Sequence, residues 1–185
     1  MLSQNTACRD LIGTCAVPAR SVAGYPLLVE NEALADLNAC EYLFLSEIEE
    51  LDHNGLRLVV TEGRRAGESG PIQVGDAVIP GGTRIDVTDE SAAFEIIWNK
   101  YVAYSVMNES FAAVDEEEQY TGNRVRLYSK SHFKDYVARA SFACDEYPGP
   151  TQHVEVVCEN HSIDVIAATA PIVHRGSTLG AGVLR

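Results

Sequence analysis

The stretch HVEVVCENHSIDVIAA, residues 153–168, limits the fold of this chain more than any other part of the sequence. Apolar and polar side chains alternate on both sides of the Asn-His pair at 160–161, as they do on strands with one buried face. The YPGP segment at 147–150 is typical of a turn, because Pro148 fixes φ at one corner and Gly149 accepts a positive φ at the next. Together these signals predict an antiparallel hairpin with a two-residue turn at 160–161.

A two-residue turn would sort the side chains of this hairpin onto two faces. One face is apolar and holds Val154, Val156, Cys158, Ile163, Val165 and Ala167. The other face is mainly polar and holds His153, Glu155, Glu159 and Asp164. We therefore predict that Cys158 points into the core and that the polar face is solvated, as charged strand faces usually are.

A convergent site on this polar face is the alternative interpretation. His153 and Glu155 share the face, Asp164 would lie diagonally across the strand pair, and Asp145 or Glu146 could join from the end of the predicted helix. An imidazole with two or three carboxylates can bind a divalent metal or perform acid–base chemistry. The catalytic candidates are then His153, Glu155 and Asp164, and the metal candidates are His153, Glu155 and Asp145. No complete cofactor motif is present, and we predict no cofactor beyond that metal.

The rest of the chain also has strand and turn signals. Asn54-Gly55 favours a tight hairpin that would place Asp52 opposite Arg57. The glycine-rich residues 63–84 indicate turns with a short strand, since no Gly-Lys-Ser/Thr or G-x-S-x-G motif is present. Residues 94–109 have β-type composition, with a turn at 99–100 that would pair Trp98 with Tyr101.

One helix is clear in the sequence, and a second is weaker. SHFKDYVARASFA repeats its apolar residues at helical spacing after Ser131, a favourable N-cap residue. NEALADLNACEY is the weaker helix. These elements predict an α+β fold that is mainly antiparallel β, a sandwich or strongly curved sheet of hairpins with one or two packed helices. The expected organisation is an irregular arm at 1–24, one β-rich domain at 25–174 and a flexible tail at 175–185.

The charge of the chain points to a class of partner. The formal net charge is −13, which disfavours nucleic acid and anionic membranes and favours a basic protein partner. Carboxylates concentrate in two segments that we predict to form the partner-binding surface: Glu47, Glu49 and Glu50, and Asp115, Glu116, Glu117 and Glu118. No apolar run is long enough to span a bilayer, and no signal-peptide pattern opens the chain. Five cysteines without a C-x-x-C pair are typical of reduced thiols, so we expect a cytoplasmic protein.

Two stretches carry a resemblance to other proteins: YVAYSVMNESF at 101–111, and YSKSHFKDYVARASFACDEYPGPTQHVEVVCENHSIDVI at 128–166. They are similar to a group of small hypothetical bacterial proteins that share the tyrosine-rich strand, the Y-S-K-S helix entry and the Y-P-G-P hairpin. The resemblance covers about the C-terminal half of the chain. It implies a bacterial, soluble, single-domain protein and assigns no activity or site residue.

The sequence thus favours a small acidic protein-binding module over an enzyme. An immunity-like or antitoxin-like inhibitor of a basic nuclease-type protein is its concrete form, with electrostatic steering followed by occlusion of the partner's active site. The alternatives are an enzyme or a small-ligand or metal-binding protein that uses His153, Glu155 and Asp164, and a self-associating protein that uses exposed strand edges.

Overall fold

The computed structural model describes residues 31–113 and 115–177. Within these residues the chain forms two α-helices: α1 (Glu32–Ala39) and α2 (His132–Ala140). It also forms ten strands: β1 (Tyr42–Leu51), β2 (Gly55–Val74), β3 (Ala77–Asp86), β4 (Ala92–Trp98), β5 (Tyr101–Asn108), β6 (Gln119–Thr121), β7 (Val125–Lys130), β8 (Gln152–Val157), β9 (His161–Ala167) and β10 (Ile172–Ser177). The predicted α+β class with mainly antiparallel β structure is confirmed.

The strands form two five-stranded antiparallel sheets. The first sheet has the order β1-β2-β4-β10, and β3 pairs with the distal part of β2. The second sheet has the order β5-β9-β8-β7-β6. Alternation along each strand gives every sheet one inner and one outer face. The two sheets therefore build a sandwich around the residues of their inner faces.

The core of the sandwich combines side chains from both sheets and from α1. Its fully buried members include Leu37, Leu56, Leu58, Phe94, Ile96, Trp98, Val156, Ile163 and Val165. The predicted apolar face of the C-terminal hairpin is part of this core, and Cys158 is buried there, as expected. Burial of these apolar surfaces is the main force that holds the two sheets together.

Both helices begin at a side-chain cap and lie where the sequence predicts them. The Asn31 side chain accepts a hydrogen bond from the backbone N–H of Leu34 at 2.8 Å at the start of α1. Ser131 Oγ accepts one from the backbone N–H of Lys134 at 3.0 Å at the start of α2. Helix α2 buries Val137 against the outer face of the second sheet. That face is consequently covered along part of its length.

The β1–β2 hairpin is confirmed, but its predicted register is wrong. The turn contains three residues, Asp52–Asn54, so Leu51 pairs with Gly55, and Arg57 faces Glu49 instead of Asp52. His53 and Asn54 adopt the left-handed conformation, with φ of 61° and 62°. Asparagine and histidine tolerate positive φ better than most residues. His53 and Asn54 therefore take the two positive-φ positions that were predicted for Asn54 and Gly55.

The predicted pairing of Trp98 with Tyr101 is also wrong. Trp98 ends β4 in the first sheet, whereas Tyr101 begins β5 in the second sheet and pairs with Ala167. The turn at 99–100 therefore joins the two layers of the sandwich. Tyr101 instead packs edge-on against Tyr104, with ring centroids 5.1 Å apart.

The glycine-rich segment forms a two-stranded arm, where the sequence suggested turns with only a short strand. We call residues 66–84, the distal parts of β2 and β3, the β2–β3 arm. Register shifts between Ala66 and Gly70 and again before Ile72 accommodate Gly67, Gly70 and Pro71 without ending the ladder. At Gly82 an added Cβ would meet the end of the Ile72 side chain, so a larger residue here would require Ile72 to move.

The boundaries predicted for the domain can be compared with the structure in part. Strand β10 continues to Ser177, three residues into the segment predicted as a tail, and pairs there with Ala92 and Ala93. The predicted irregular arm at 1–24 and the remaining tail residues 178–185 lie outside the described residues.

Candidate functional site

The C-terminal hairpin pairs its strands two residues away from the predicted register. Val157 faces Ser162, Glu155 faces Asp164, and the three-residue connection 158–160, closed by the Cys158 N–H donating to the His161 carbonyl at 2.9 Å, replaces the turn predicted at 160–161. Because the shift is two residues, every side chain keeps its predicted face. The new register places Asp164 directly opposite Glu155, which brings the predicted candidates closer together than expected.

Seven polar side chains meet on the outer face of the second sheet. We call them the outer-face cluster: Arg126, Tyr128, Ser131, His153, Glu155, Ser162 and Asp164. Strands β7, β8 and β9 contribute all of them except Ser131, the N-cap of α2. The cluster contains the three predicted catalytic candidates; of the other four, Ser131 was predicted only as a helix cap and none was predicted as a site residue.

Glu155 is the acceptor at one end of the cluster. Its Oε2 accepts a hydrogen bond from the Tyr128 hydroxyl at 2.6 Å and lies 3.2 Å from the Arg126 guanidinium. Its Oε1 accepts a hydrogen bond from the Ser162 hydroxyl. Each carboxylate oxygen thus has at least one donor, so burial of this charge is compensated. Burial and then the contact with Glu155 raise the pKa of Tyr128, which remains a protonated donor.

His153 occupies the other end of the cluster and links three elements. Its Nδ1 lies 2.6 Å from Ser131 Oγ, and its Nε2 lies 3.0 Å from Asp164 Oδ1. Ser131 Oγ already accepts the N–H of Lys134, so its own proton is free to be donated to Nδ1. Because a carboxylate can only accept, we assign a ring proton to Nε2, which donates it to Asp164.

The centre of the outer-face cluster is buried, and the prediction that this face is solvated is wrong for its central residues. His153 is 2% exposed and Glu155 is 8% exposed. The Tyr128 ring stacks on the imidazole at 4.3 Å, and Phe133 of α2 approaches it edge-on at 5.6 Å. The amphipathic hairpin predicts two different faces correctly, but it does not reveal that α2 and Tyr128 cover the polar one.

The order hydroxyl–imidazole–carboxylate resembles a nucleophilic triad in its connectivity. Ser131, however, is 5% exposed, and its oxygen is occupied by the first turn of α2. A nucleophile needs an accessible oxygen beside its base. Here the hydroxyl joins α2 to the sheet, and the cluster acts as a buried polar network that fixes the position of the helix.

The predicted metal candidates do not converge. Asp145 and Glu146 are exposed residues in the turn before β8, whereas the ring nitrogens of His153 contact Ser131 and Asp164. In the described part of the chain, no group of three or more His, Cys, Asp and Glu side chains is arranged to hold a metal ion.

The acidic residues of β1 contact groups of the same chain. Glu47 and Glu49 lie 3.0 and 3.3 Å from the guanidinium of Arg57, which also contacts Glu95 and is 11% exposed. Glu50 instead accepts hydrogen bonds from the hydroxyls of Tyr104 at 2.7 Å and Tyr101 at 3.3 Å. Glu47 and Glu49 are about half exposed. Because the three carboxylates of Glu47, Glu49 and Glu95 surround the single guanidinium of Arg57, this surface keeps a net negative charge.

The second acidic segment, Asp115 to Glu118, is held against the start of α2 and the end of β7. Asp115 lies 3.1 Å from the His132 ring, and Glu117 lies 3.7 Å from Lys130. Glu118 accepts the backbone N–H of His132 at 2.8 Å, while Glu116 is exposed. The two predicted acidic surfaces therefore belong to different sheets and are partly neutralised.

The largest group of exposed apolar side chains in the first sheet lies on the β2–β3 arm, a segment for which the sequence predicted no binding role. Ile72, Val74, Val78 and Ile79 are 42 to 62% exposed. Ile72 pairs with Ile79 and Val74 pairs with Ala77, so the exposed side chains of Ile72, Val74 and Ile79 share one face of the arm. Val78 lies on the other face. The available signal was the concentration of β-branched residues around the Gly75-Asp76 turn.

Comparison with known proteins gives no further assignment. No family model, curated protein or solved structure matches this chain. Across residues 31–113 and 115–177, no helix has the length and apolar character that crossing a membrane requires.

Proposed function

We propose that this chain is a cytoplasmic protein-binding module and that the β2–β3 arm makes apolar contact with a basic protein partner. The observation that carries the proposal is the exposure of four branched aliphatic side chains on a two-stranded ribbon. Such a ribbon is marginal on its own in water, and exposed apolar patches commonly mark interaction sites. The arm gains a physical purpose when a partner covers it.

The charge of the chain supports a basic partner. A net charge of −13 accelerates encounter with a positively charged protein, and an apolar contact then slows dissociation. Asp76 at the arm turn and Glu68 on β2 are exposed carboxylates of the same arm. The complementary surface is an apolar groove with a basic rim, as an inhibited nuclease-type enzyme would offer in an immunity-like or antitoxin-like pair.

Site-specific photo-crosslinking in the cells that produce the protein tests this proposal. A benzoylphenylalanine residue replaces Val78 on the arm or, as control, the exposed Phe111 after β5. We expect one recurrent adduct with a basic protein from position 78 and none from position 111. The purified partner should bind the I72T/I79T variant at least tenfold more weakly than the wild type, a loss of about 1.4 kcal/mol or more. Equal adducts at both positions, or an adduct with a second copy of the chain, would reject the proposal.

A hydrolytic function is the second candidate, favoured by the hydrogen-bonded order Ser131–His153–Asp164. An active serine would react with a fluorophosphonate probe, and S131A would lose that reaction while S110A would keep it. We expect no adduct on Ser131, because its oxygen is buried and occupied. A stoichiometric adduct on Ser131 would replace the binding-module proposal with the enzyme.

A further inference from the structure

A second exposed surface lies at the opposite end of the sandwich from the β2–β3 arm. Strand β2 begins beside this end, where Leu56 pairs with Trp98, and finishes at the arm turn. We call the group formed by the 99–100 turn, the Asp52–Asn54 turn and residues 142–150 the loop end. In sandwich folds such connections are a usual position for recognition residues, because a rigid core holds them in place.

The loop end exposes a stacked aromatic pair. Phe142 is 73% exposed and Tyr147 is 56% exposed, and their rings lie 6.1 Å apart with an angle of 14° between their planes. Core packing leaves most of both rings uncovered. Large aromatic side chains in such positions are characteristic of binding hot spots.

The backbone around the pair is fixed by its own hydrogen bonds. The Cys144 N–H donates to the Tyr147 carbonyl at 2.8 Å, and the Tyr147 N–H donates to the Cys144 carbonyl at 3.0 Å. The Gly149 N–H donates to the same Cys144 carbonyl at 3.3 Å. A partner would therefore meet a preformed loop, and little conformational entropy would be lost on binding.

The charges around the aromatic pair favour a cation. Asp145 and Glu146 lie between the two rings in sequence and are exposed, and Asp52 is exposed in the neighbouring turn. A hydrogen bond with the Cys144 side chain lowers the pKa of the Glu146 carboxyl, which stays ionised at neutral pH. The ammonium of Lys100 lies 5.7 Å from the centroid of the Tyr147 ring. The chain itself thus already places one cation on this ring.

We propose that the loop end binds arginine side chains of a basic polypeptide, with guanidinium groups on the Phe142 and Tyr147 rings and their N–H groups directed to Asp145 and Glu146. Arginine fits better than lysine, because its planar guanidinium stacks on an aromatic face while its edge still donates to carboxylates. The site uses none of the residues of the β2–β3 arm. Its test is therefore independent of the function proposed above.

The test is an NMR titration of the full chain with acetyl-tetra-arginine amide and with acetyl-tetra-lysine amide at about 150 mM salt, where exposed charges are largely screened. Dissociation constants are read from the backbone amides of Glu146 and Tyr147, so that binding elsewhere on the acidic surface does not contribute. We expect the arginine peptide to bind these amides about fivefold more tightly than the lysine peptide.

Three variants and one control sharpen the test. F142A and Y147A should each weaken arginine-peptide binding about two- to fivefold and reduce the preference over lysine. K100Q should tighten it about twofold, because a competing cation leaves the Tyr147 ring. F111A removes an exposed ring elsewhere and should change nothing.

Equal affinity for the two peptides in the wild-type chain, or an unchanged preference in both aromatic variants, would overturn the proposal. K100Q keeps both rings and therefore tests the site even if an aromatic variant misfolds. An affinity for the arginine peptide that is unchanged or weaker in K100Q would show that Tyr147 does not bind the peptide.

Discussion

The β8–β9 hairpin and the β2–β3 arm have opposite relations between polarity and burial. In β8–β9, the polar residues His153 and Glu155 are buried beneath α2 and Tyr128. In the arm, aliphatic residues such as Val78 and Ile79 are exposed to solvent. The comparison shows that the environment of a strand depends on what packs over it, and only secondarily on its own alternation of residues.

This difference separates structure from function in the molecule. Most donors and acceptors of the outer-face cluster are matched within the chain, and the buried Nε of Arg126 is the exception. The arm has side chains that its own fold leaves uncovered. We therefore attribute the cluster to the stability of the fold, and contact with a partner remains the role that we propose for the arm.

Thiol reactivity should show the largest difference between the two hairpins. Burial raises the pKa of Cys158 to about 12, so the reactive thiolate is scarce at pH 8. In the folded chain, iodoacetamide should modify Cys158 at least about a thousandfold more slowly than a cysteine introduced as V78C. The Cys158 rate should rise about tenfold per pH unit up to the pKa, because the thiolate fraction does so. Peptide mass mapping gives both rates, and similar values at pH 8 would show that the hairpin is open to solvent.

Loss of a carboxylate should separate the hairpins next. E155A leaves Arg126, Tyr128 and Ser162 without their shared acceptor, and we expect it to lower the free energy of unfolding by about 3 kcal/mol. The control E68A removes an exposed carboxylate of the arm and should stay within about 0.5 kcal/mol of wild type. Urea denaturation measures both, and equal losses would contradict a structural role for Glu155.

Replacing valine with threonine tests the apolar side of the comparison. V154T places a hydroxyl into the core, where Val154 is 1% exposed, and should cost about 2 kcal/mol. V78T makes the same change on the arm and should cost less than about 0.5 kcal/mol. Thermal unfolding of both variants measures the two losses of stability. A large loss in V78T would mean that the arm packs against the body of the protein.

The helix cap should show the smallest effect. S131A removes the cap of α2 and the donor to His153 Nδ1, and we expect a loss of about 1 kcal/mol. S110A is the matched control at an exposed hydroxyl. The imidazole ¹⁵N spectrum of the wild-type chain should show a proton on Nε2 and none on Nδ1. A proton on Nδ1 would reverse the direction of the Ser131–His153 hydrogen bond.

Local patterns predicted the elements of this fold well. The helix after Ser131, the presence of both hairpins and the two faces of β8–β9 follow from spacing, capping and turn residues, but both hairpins adopt a register other than the predicted one. Local patterns also failed where the outcome depends on distant partners. Alternation at 153–168 does not show that α2 covers the polar face, and the aromatic residues at 98 and 101 do not show that the chain changes sheets between them.

The candidate site was predictable to the same extent. His153, Glu155 and Asp164 were identified because they share a strand face, which is a local property. Tyr128 and Ser131 join them through β7 and the start of α2, and that contact requires the tertiary fold. The arm was missed because glycine and proline usually end strands, whereas here register shifts let the ladder continue.

Deleting the arm tests the central claim most directly. In the shortened chain, Asn-Gly replaces residues 67–83, so that a two-residue turn joins the Ala66–Arg84 pair. Urea denaturation then compares its free energy of unfolding with that of the full chain. If the arm contributes to binding and not to the folding core, the free energy of unfolding of the shortened chain should lie within about 1 kcal/mol of that of the full chain. Failure to fold, or a loss of several kcal/mol, would show that the arm is part of the folding core and would contradict the account.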